Sequence, residues 1–456
     1  MNCVYLYLFR IMSNHTKLPD EVEFIQTITV DIHGFSRGKM FPREKLNDLF
    51  QNKEEVVGLL EVLGTRFEIP ESLTELSENH YRNILITPEK SSLRVAPWSK
   101  DSSLAMVFYD AYDKITNSPW PFNPRLLAKN KIKELEVMGM KLMIGVENEF
   151  RLFGKGSRKP LTDSVQLLSQ FHQATVVLPF ARELKKVAKD FDIEFDSWNL
   201  EYGSGQIEIP LRAYEGINGV DKVWMFRETS KYVADRLNLH ATYMTLPISK
   251  ETANGMHINH SLWSVKDKGL SNLFWDSKNE NSLSDVGKHW LAGILKHTRA
   301  LSAFFSPSVN CYRRVAAADW APNNISWNYD DRSVAMRVKT STANEKQNYI
   351  ENQLPSSACN IYIAIASMIV AGIDGIKNKL DLFEAGNGFH CEKLPKTLAE
   401  SLEVLKQDKV LTEGLGPKFV DWYVKVKQET EVDLFKSVNI HDVGLTELEF
   451  HKYFHL

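Results

Sequence analysis

Several short stretches of this chain carry the groups able to do chemistry together. The first is Ile144-Gly145-Val146-Glu147-Asn148-Glu149-Phe150, an apolar run with the pattern of a buried strand. Side chains alternate along a strand, so Glu147 and Glu149 share one face. Two carboxylates side by side among apolar neighbours repel each other and are poorly solvated, so a cation or a retained proton must compensate. The second is Glu201-Tyr202-Gly203-Ser204-Gly205-Gln206-Ile207-Glu208-Ile209. Its glycines permit a tight turn. The strand that follows puts Gln206 and Glu208 on one face, and Glu201 can fold back toward Glu208. A further acid, Glu351, sits in Tyr349-Ile350-Glu351-Asn352-Gln353-Leu354-Pro355.

The cationic and imidazole groups lie between them. In Gly255-Met256-His257-Ile258-Asn259-His260-Ser261-Leu262-Trp263, strand parity places His257, Asn259 and Ser261 on one face. Arg313-Arg314, Arg332 and Arg337 form a basic group suited to gripping phosphate or carboxylate. Arg332 and Arg337 have opposite strand parity, so both reach one site only if Arg332 lies in the loop before the strand. Taken singly, each stretch also has an ordinary reading: exposed acids, a structural histidine, solvated arginines. Together, Glu147, Glu149, Glu201, Glu208, Glu351 and His257 suit two hard divalent ions, Mg²⁺ or Mn²⁺. Arginines beside such ions suit phosphoryl transfer from ATP.

The elements that must position these residues follow from pattern. Glu23 to Asp31 reads as a strand with Phe24, Ile28 and Val30 on one face. Ser36 to Pro42 reads as an edge strand closed by proline. With Ile84 to Ile86, Leu93 to Val95 and Ser103 to Tyr109, they predict a small sheet-rich domain with one or two helices. Three prolines between Pro119 and Pro124 mark a boundary. A helix then runs from Arg125 to Gly139, and strands and helices alternate beyond it. Leu167 to Asp192 is predicted mostly helical with a break or fresh start at Pro179. Strands are predicted at Thr242 to Thr245 and Val334 to Val338, and helices at Gly219 to Leu237 and Gly287 to Phe305. Asn360 to Ile376, nearly apolar all round, reads as a buried core helix rather than a membrane span. The stretch from Pro395 is mainly helical.

Composition excludes some classes. The chain has 456 residues, 43% hydrophobic and 25% charged, with a net charge of −3, which gives no footprint for nucleic acid or an anionic membrane. Four scattered cysteines suit a reducing compartment, and we expect a cytoplasmic protein. The division expected is a flexible extension over 1–20, a first domain over 21–114 and a second over 120–456.

The order of these motifs resembles class I glutamine synthetases, which carry an ExE strand, an ExGxGQxE turn, a GMHxxxSL strand, an NxYxR segment, an NRSxxxRI segment and a late glutamate. They stand here as Glu147-Asn148-Glu149, EYGSGQIE, GMHINHSL, NCYRR, DRSVAMRV and IEN. The match also takes in Val30 to Lys39, Asn123-Pro124-Arg125 and Ala371 to Gly375. Within that superfamily, GKHWLAGILKHTRALSAFFSPSVNCYRR and HSLWSVKDKG look most like the lengsins, regarded as catalytically silent.

The resemblance implies an α+β fold: a β-grasp N-terminal domain, then a catalytic α/β domain whose curved antiparallel sheet is flanked by helices. It implies two stacked hexameric rings, a dodecamer with active sites between subunits, and ligation of ammonia or an amine to the γ-carboxylate of glutamate through a γ-glutamyl phosphate. By resemblance, Glu149, Glu201 and Glu208 hold one metal and Glu147, His257 and Glu351 the other. Arg314 binds the glutamate carboxylate, Arg332 the acyl phosphate and Arg337 the ATP phosphates, with Asn259 and Ser261 assigned to the nucleotide side. The departures cluster at the substrate. The flap glutamate of the ammonium site aligns with Trp320, and the second carboxylate-binding arginine with Gln353. A nucleotide-side arginine aligns with Tyr349, the Asn-Gly ahead of GMH with Thr252-Ala253, and the second histidine of HxH with Asn259. Each lost charge-assisted contact costs about 1.5–3 kcal/mol. Two readings therefore stand side by side: a ligase with weakened glutamate turnover, or a silent structural oligomer with room for a cytoskeletal partner.

Overall fold

The computed structural model describes residues 18–456 apart from 59–62, 67, 73–81, 97, 100–102, 164–170, 267–268, 277, 279–282, 318–320, 342–343, 345–346, 387–391 and 438–443. Most of the expected N-terminal extension thus lies outside the described residues.

The chain opens with strands β1 (Phe24–Val30), β2 (Ser36–Arg37), β3 (Met40–Pro42), β4 (Glu54–Val57), β5 (Asn83–Pro88), β6 (Arg94–Val95) and β7 (Leu104–Tyr112). They form one sheet in the order β2-β1-β7-β5-β4, with β3 added to β1 and β6 to β7. First and last strands run parallel side by side, Phe24 opposite Leu104 and Ile28 opposite Phe108, as in a β-grasp sheet. Both faces of β1 are covered. Ile28 and Val30 join the main core, while Ile25 packs with Val22, Leu49, Ala105 and Val107 in a smaller one. Phe24 departs from its expected partners on that face: at the strand's start, beyond the covering elements, it is 45% exposed.

The proline-rich stretch leads into a helix, Pro124–Val137, with proline in its first turn and the Asn123 side chain accepting from Leu126 N at 2.8 Å. The next sheet is built on β8 (Met140–Gly154), joined by β9 (Asn199–Leu200), β10 (Gln206–Pro210), β11 (Tyr214–Glu215), β12 (Leu239–Thr242), β13 (Met256–Lys266), β14 (Gly269–Asn272), β15 (Trp327–Tyr329), β16 (Met336–Lys339) and β17 (Tyr349–Asn352). Its order is β15-β16-β17-β13-β8-β10-β9, antiparallel except for β15 with β16. The helix Phe171–Lys189 runs straight through Pro179, where a break was expected. Val177, Phe180, Leu184, Val187 and Ala188 are buried along one side of it, and that apolar stripe outweighs the roughly 3 kcal/mol a helical proline costs.

Behind the sheet, the helices Asp285–Phe305 and Ile361–Asn378 pack closely because Gly293 and Gly375 face each other; a Cβ on Gly375 would sit 2.0 Å from the His289 carbonyl. The Ile361–Asn378 helix is long and apolar enough to cross a membrane, yet 78% of that window is buried inside the protein, as expected of a core helix. Arg125 joins the first sheet to the rest. Its guanidinium meets Asp221 through two bonds of 2.9 and 2.8 Å and Glu89 at 2.9 Å. Trp224 donates to the Gly34 carbonyl at 2.9 Å and Asn360 to the Asp31 carbonyl at 2.7 Å, so the β1–β2 turn is held by the helix Gly216–Arg236 and by the N-cap of the helix Ile361–Asn378.

Candidate active site

Sheet register brings the candidate residues together. Directly opposed residues of neighbouring strands point to the same face. Glu149 on β8 is opposite Glu208 on β10, and Glu147 is opposite His257 on β13. Glu351 on β17 lies opposite both Asn259 and Arg337. Glu201 closes the turn between β9 and β10. Glu147, Glu149, Glu201, Glu208, His257 and Glu351 line one cavity of about 420 Å³, together with Arg314, Arg332, Arg337, Lys339, Thr252, Ala253 and Gln353, while Asn259 is not among the lining residues.

Within it, His257 Nδ1 lies 3.0 Å from Glu147 and 3.5 Å from Glu351. Asn259 donates to the other Glu147 oxygen at 3.0 Å. Arg337 is 3.2 Å from Glu351 and also grips Asp330. Glu149 accepts from Gly255 N at 2.8 Å and from Gln206 Nε2 at 3.0 Å. Arg314, from the helix Cys311–Ala317, donates to the carbonyls of Leu354 (3.0 Å) and Gln353 (2.9 Å). Arg332 lies in the turn before β16 and is exposed, the placement its parity required. Two sequence candidates sit elsewhere. Arg313 forms a buried pair with Glu449 at 2.7 Å. Ser261 does not line the cavity, because its Oγ accepts from the Trp263 indole at 2.9 Å. Trp320 is outside the described residues.

The charges are unbalanced around the acids. Burial, then the charge of Glu149, pushes Glu201 up to about 7. Burial, then Glu149, Glu147 and Glu201, pushes Glu208 up to about 8. Burial opposes ionisation of Glu147 as well, but the His257 hydrogen bond and charge bring it down to about 2. Burial pulls His257 down, and Glu147, Glu149 and Glu351 outweigh it, raising the imidazole to about 9. Glu147, His257 and Glu351 present ligand atoms within 4.8 Å of one another. Carboxylates that resist ionisation together, with an imidazole beside them, fit the donor set of hard divalent cations.

Three contributors escaped sequence reasoning. Lys339 is two residues beyond Arg337, on the same face of β16, and that parity was the available signal. Asn199 donates to Glu201 at 2.7 Å. Glu251 pairs with buried Arg151 and accepts from Ser204 N at 2.8 Å, tying the glycine turn to the Thr252-Ala253 loop. Nothing local in the sequence marks that pair.

The model for the glutamine synthetase catalytic domain matches residues 121–449. This chain belongs to the glutamine synthetase family. The glutamine synthetase of Pyrococcus furiosus is 30% identical over 462 residues, covering 96% of this chain and 98% of that one. Lengsin of Rattus norvegicus is 30% identical over 430 residues, covering 90% and 72%. Among solved structures, ligand-free GmaS superposes with a TM-score of 0.79 at 26% identity, covering 94% of this chain and 96% of that one. A GmaS/ADP complex has the same TM-score and identity. The motif order and the α+β architecture read from the sequence are thus those of the family.

Proposed function

We propose that this glutamine synthetase family protein is an ATP-dependent ligase, using Mg²⁺ or Mn²⁺, that joins an amine to the γ-carboxylate of glutamate or a related acid. The observation that carries this reading is the convergence of five carboxylates and one imidazole on a single cavity whose other wall holds Arg314, Arg332 and Arg337. The two divalent ions, when bound, would offset phosphate charge as the γ-phosphoryl group transfers. Glu149, Glu201 and Glu208 would hold one of them, and Glu147, His257 and Glu351 the other.

Arg314 is fixed by two backbone carbonyls and faces the cavity, where it would orient the substrate's α-carboxylate. A carboxylate oxygen of the acid attacks the γ-phosphorus of ATP, releasing ADP and forming an acyl phosphate. Arg332 and Arg337 would offset charge on the transferring group. The amine then attacks the acyl carbon, phosphate leaves, and the amine nitrogen gives up a proton. Asn259 would orient Glu147 by donating to one of its oxygens.

Substrate use is expected to differ from plain glutamine synthesis. Gln353 donates its amide to the Val334 carbonyl at 2.8 Å, so it offers the α-carboxylate no charge. Trp320 replaces an anion that would hold ammonium, and this favours a more apolar amine. The same Gln353 contact favours the second reading, a silent homo-oligomer that keeps its metals. For assembly we propose the family dodecamer of two hexameric rings. Phe24, Met40 and Val57, 45%, 62% and 41% exposed on the first sheet, give it apolar surface to bury. Purified protein with ATP, Mn²⁺, glutamate and a panel of amines decides the activity. Amine-dependent ADP release supports the ligase, while bound metal and nucleotide without any release supports the silent oligomer. Light scattering of a stable monomer would remove the ring assembly.

A further inference from the structure

Of the cations lining the cavity, most are already engaged. His257 is held by Glu147, Arg314 by two carbonyls, and Arg337 by Glu351 and Asp330. Lys339 differs. Among the described residues its ammonium has no hydrogen bond and no ion pair; it lies over the Tyr349 ring, 5.6 Å from Nζ to the centroid. Its charge reaches Glu147 and Asp330 only through space. Glu351, the acid nearest along the strand pair, is taken by Arg337. A half-buried lysine of this kind gives up hydration without gaining a partner unless an anion arrives from outside.

Its place along the cavity says which anion. β16 and β17 run antiparallel, with Arg337 opposite Glu351 and Lys339 opposite Tyr349. Gln353 and Arg314 mark one end of this row, Glu351 and Arg337 the middle, and Lys339 with Tyr349 the other end. Adjacent same-face positions are about 7 Å apart along a strand. Lys339 therefore stands one step beyond Arg337, away from the end where Arg314 and Gln353 would meet the amino acid. An extended polyanion starting between Arg332 and Arg337 would pass Lys339; a single carboxylate at Arg314 would not reach it.

We infer that Lys339 is a binding residue for the phosphate chain of the nucleotide, contributing charge beyond the site formed by Arg332 and Arg337. This rests on the ligase reading for the presence of a nucleotide, but not on turnover. Tyr349 supports the ammonium through its ring face and holds it over the cavity.

The test is calorimetric titration of the intact protein, in Mn²⁺, with ADP, AMP, pyrophosphate and glutamate. Lys339→Met should weaken ADP and pyrophosphate about tenfold and AMP by less than threefold, whereas Lys339→Arg should stay near wild type. Unchanged Mn²⁺ binding and an unchanged melting temperature show that the variant is folded. If wild type binds ADP and Lys339→Met binds it equally well, the assignment falls and the ligase reading stands. If the variant loses glutamate affinity instead, Lys339 serves the amino acid and the assignment also falls. If wild type binds neither ADP nor pyrophosphate, both readings fall together.

Discussion

Glu208→Gln probes the acid cluster most directly. Burial, then the charges of Glu149, Glu147 and Glu201, push the Glu208 carboxyl up to about 8, against 4.5 in an unconstrained chain. Between those values the unfolded chain releases its proton while the folded chain retains it, so stability falls as pH rises through that window and stays low above it. His257 acts in the same direction. Its imidazole is raised to about 9, so its contribution is complete below its ordinary 6.5 and is lost as pH rises through 9. Glu147, held down to about 2, contributes above 4.5 and loses stability only as pH falls through 2, so it is constant across the window. The Glu208 gap alone corresponds to an upper figure of about 5 kcal/mol. Because the neighbouring Glu201 is raised as well and shares the effect, we expect about 2–4 kcal/mol to return on substitution. For a chain of 456 residues that is roughly 2–4 °C in melting temperature. The assay is thermal unfolding from pH 5.5 to 8.5, in EDTA and in excess Mn²⁺. Wild type in EDTA should melt lower at pH 8.5 than at 5.5, and Mn²⁺ should restore it, by about 2.7 kcal/mol at a hundredfold excess over its dissociation constant. Glu208→Gln should melt higher than wild type in EDTA at pH 8, and should lose most of the Mn²⁺ gain. A wild-type melting temperature that rises from pH 6 to 8 in EDTA, or a variant with the full Mn²⁺ gain, would refute the reasoning.

Glu251→Gln should loosen the Thr252-Ala253 loop, because it leaves buried Arg151 without its counter-charge. We expect about 1–3 kcal/mol of lost stability, with amino-acid affinity falling more than ADP affinity when both are titrated. Arg125→Met leaves Asp221 with the Tyr362 hydroxyl in place of its cation, while Lys129 still pairs with Asp110 and Glu89, and should cost about 3–5 kcal/mol in urea unfolding. Arg125→Lys should recover little of it, since an ammonium cannot reproduce the paired bonds to Asp221. The double variant Gln353→Arg with Trp320→Glu should raise glutamate-dependent ADP release in a coupled assay. Robust glutamine formation by the wild type at ordinary glutamate levels would show that these two positions matter less than their chemistry suggests.

Much of the site was legible because strand parity is a local property. Same-face placement of Glu147 with Glu149, of Gln206 with Glu208, and of His257 with Asn259 follows from alternation alone, and the loop position of Arg332 from its odd spacing to Arg337. The fold class followed from motif order, and the core helix Ile361–Asn378 from its unbroken apolar composition. Tertiary structure decided what depends on register and on partners far along the chain. Only strand pairing places Glu208 opposite Glu149, and it is this opposition, with burial, that raises both turn acids. Ser261 shares parity with His257, yet lies too far along β13 and is claimed by Trp263. Arg313 is next to Arg314 in sequence, but helix geometry turns it away to Glu449. Pro179 reads locally as a break, and the helix continues because its buried stripe repays a cost that no local window measures. Lys339 shows the same limit: alternation puts it on the cavity face, but only tertiary structure shows that it has no ion pair among the described residues.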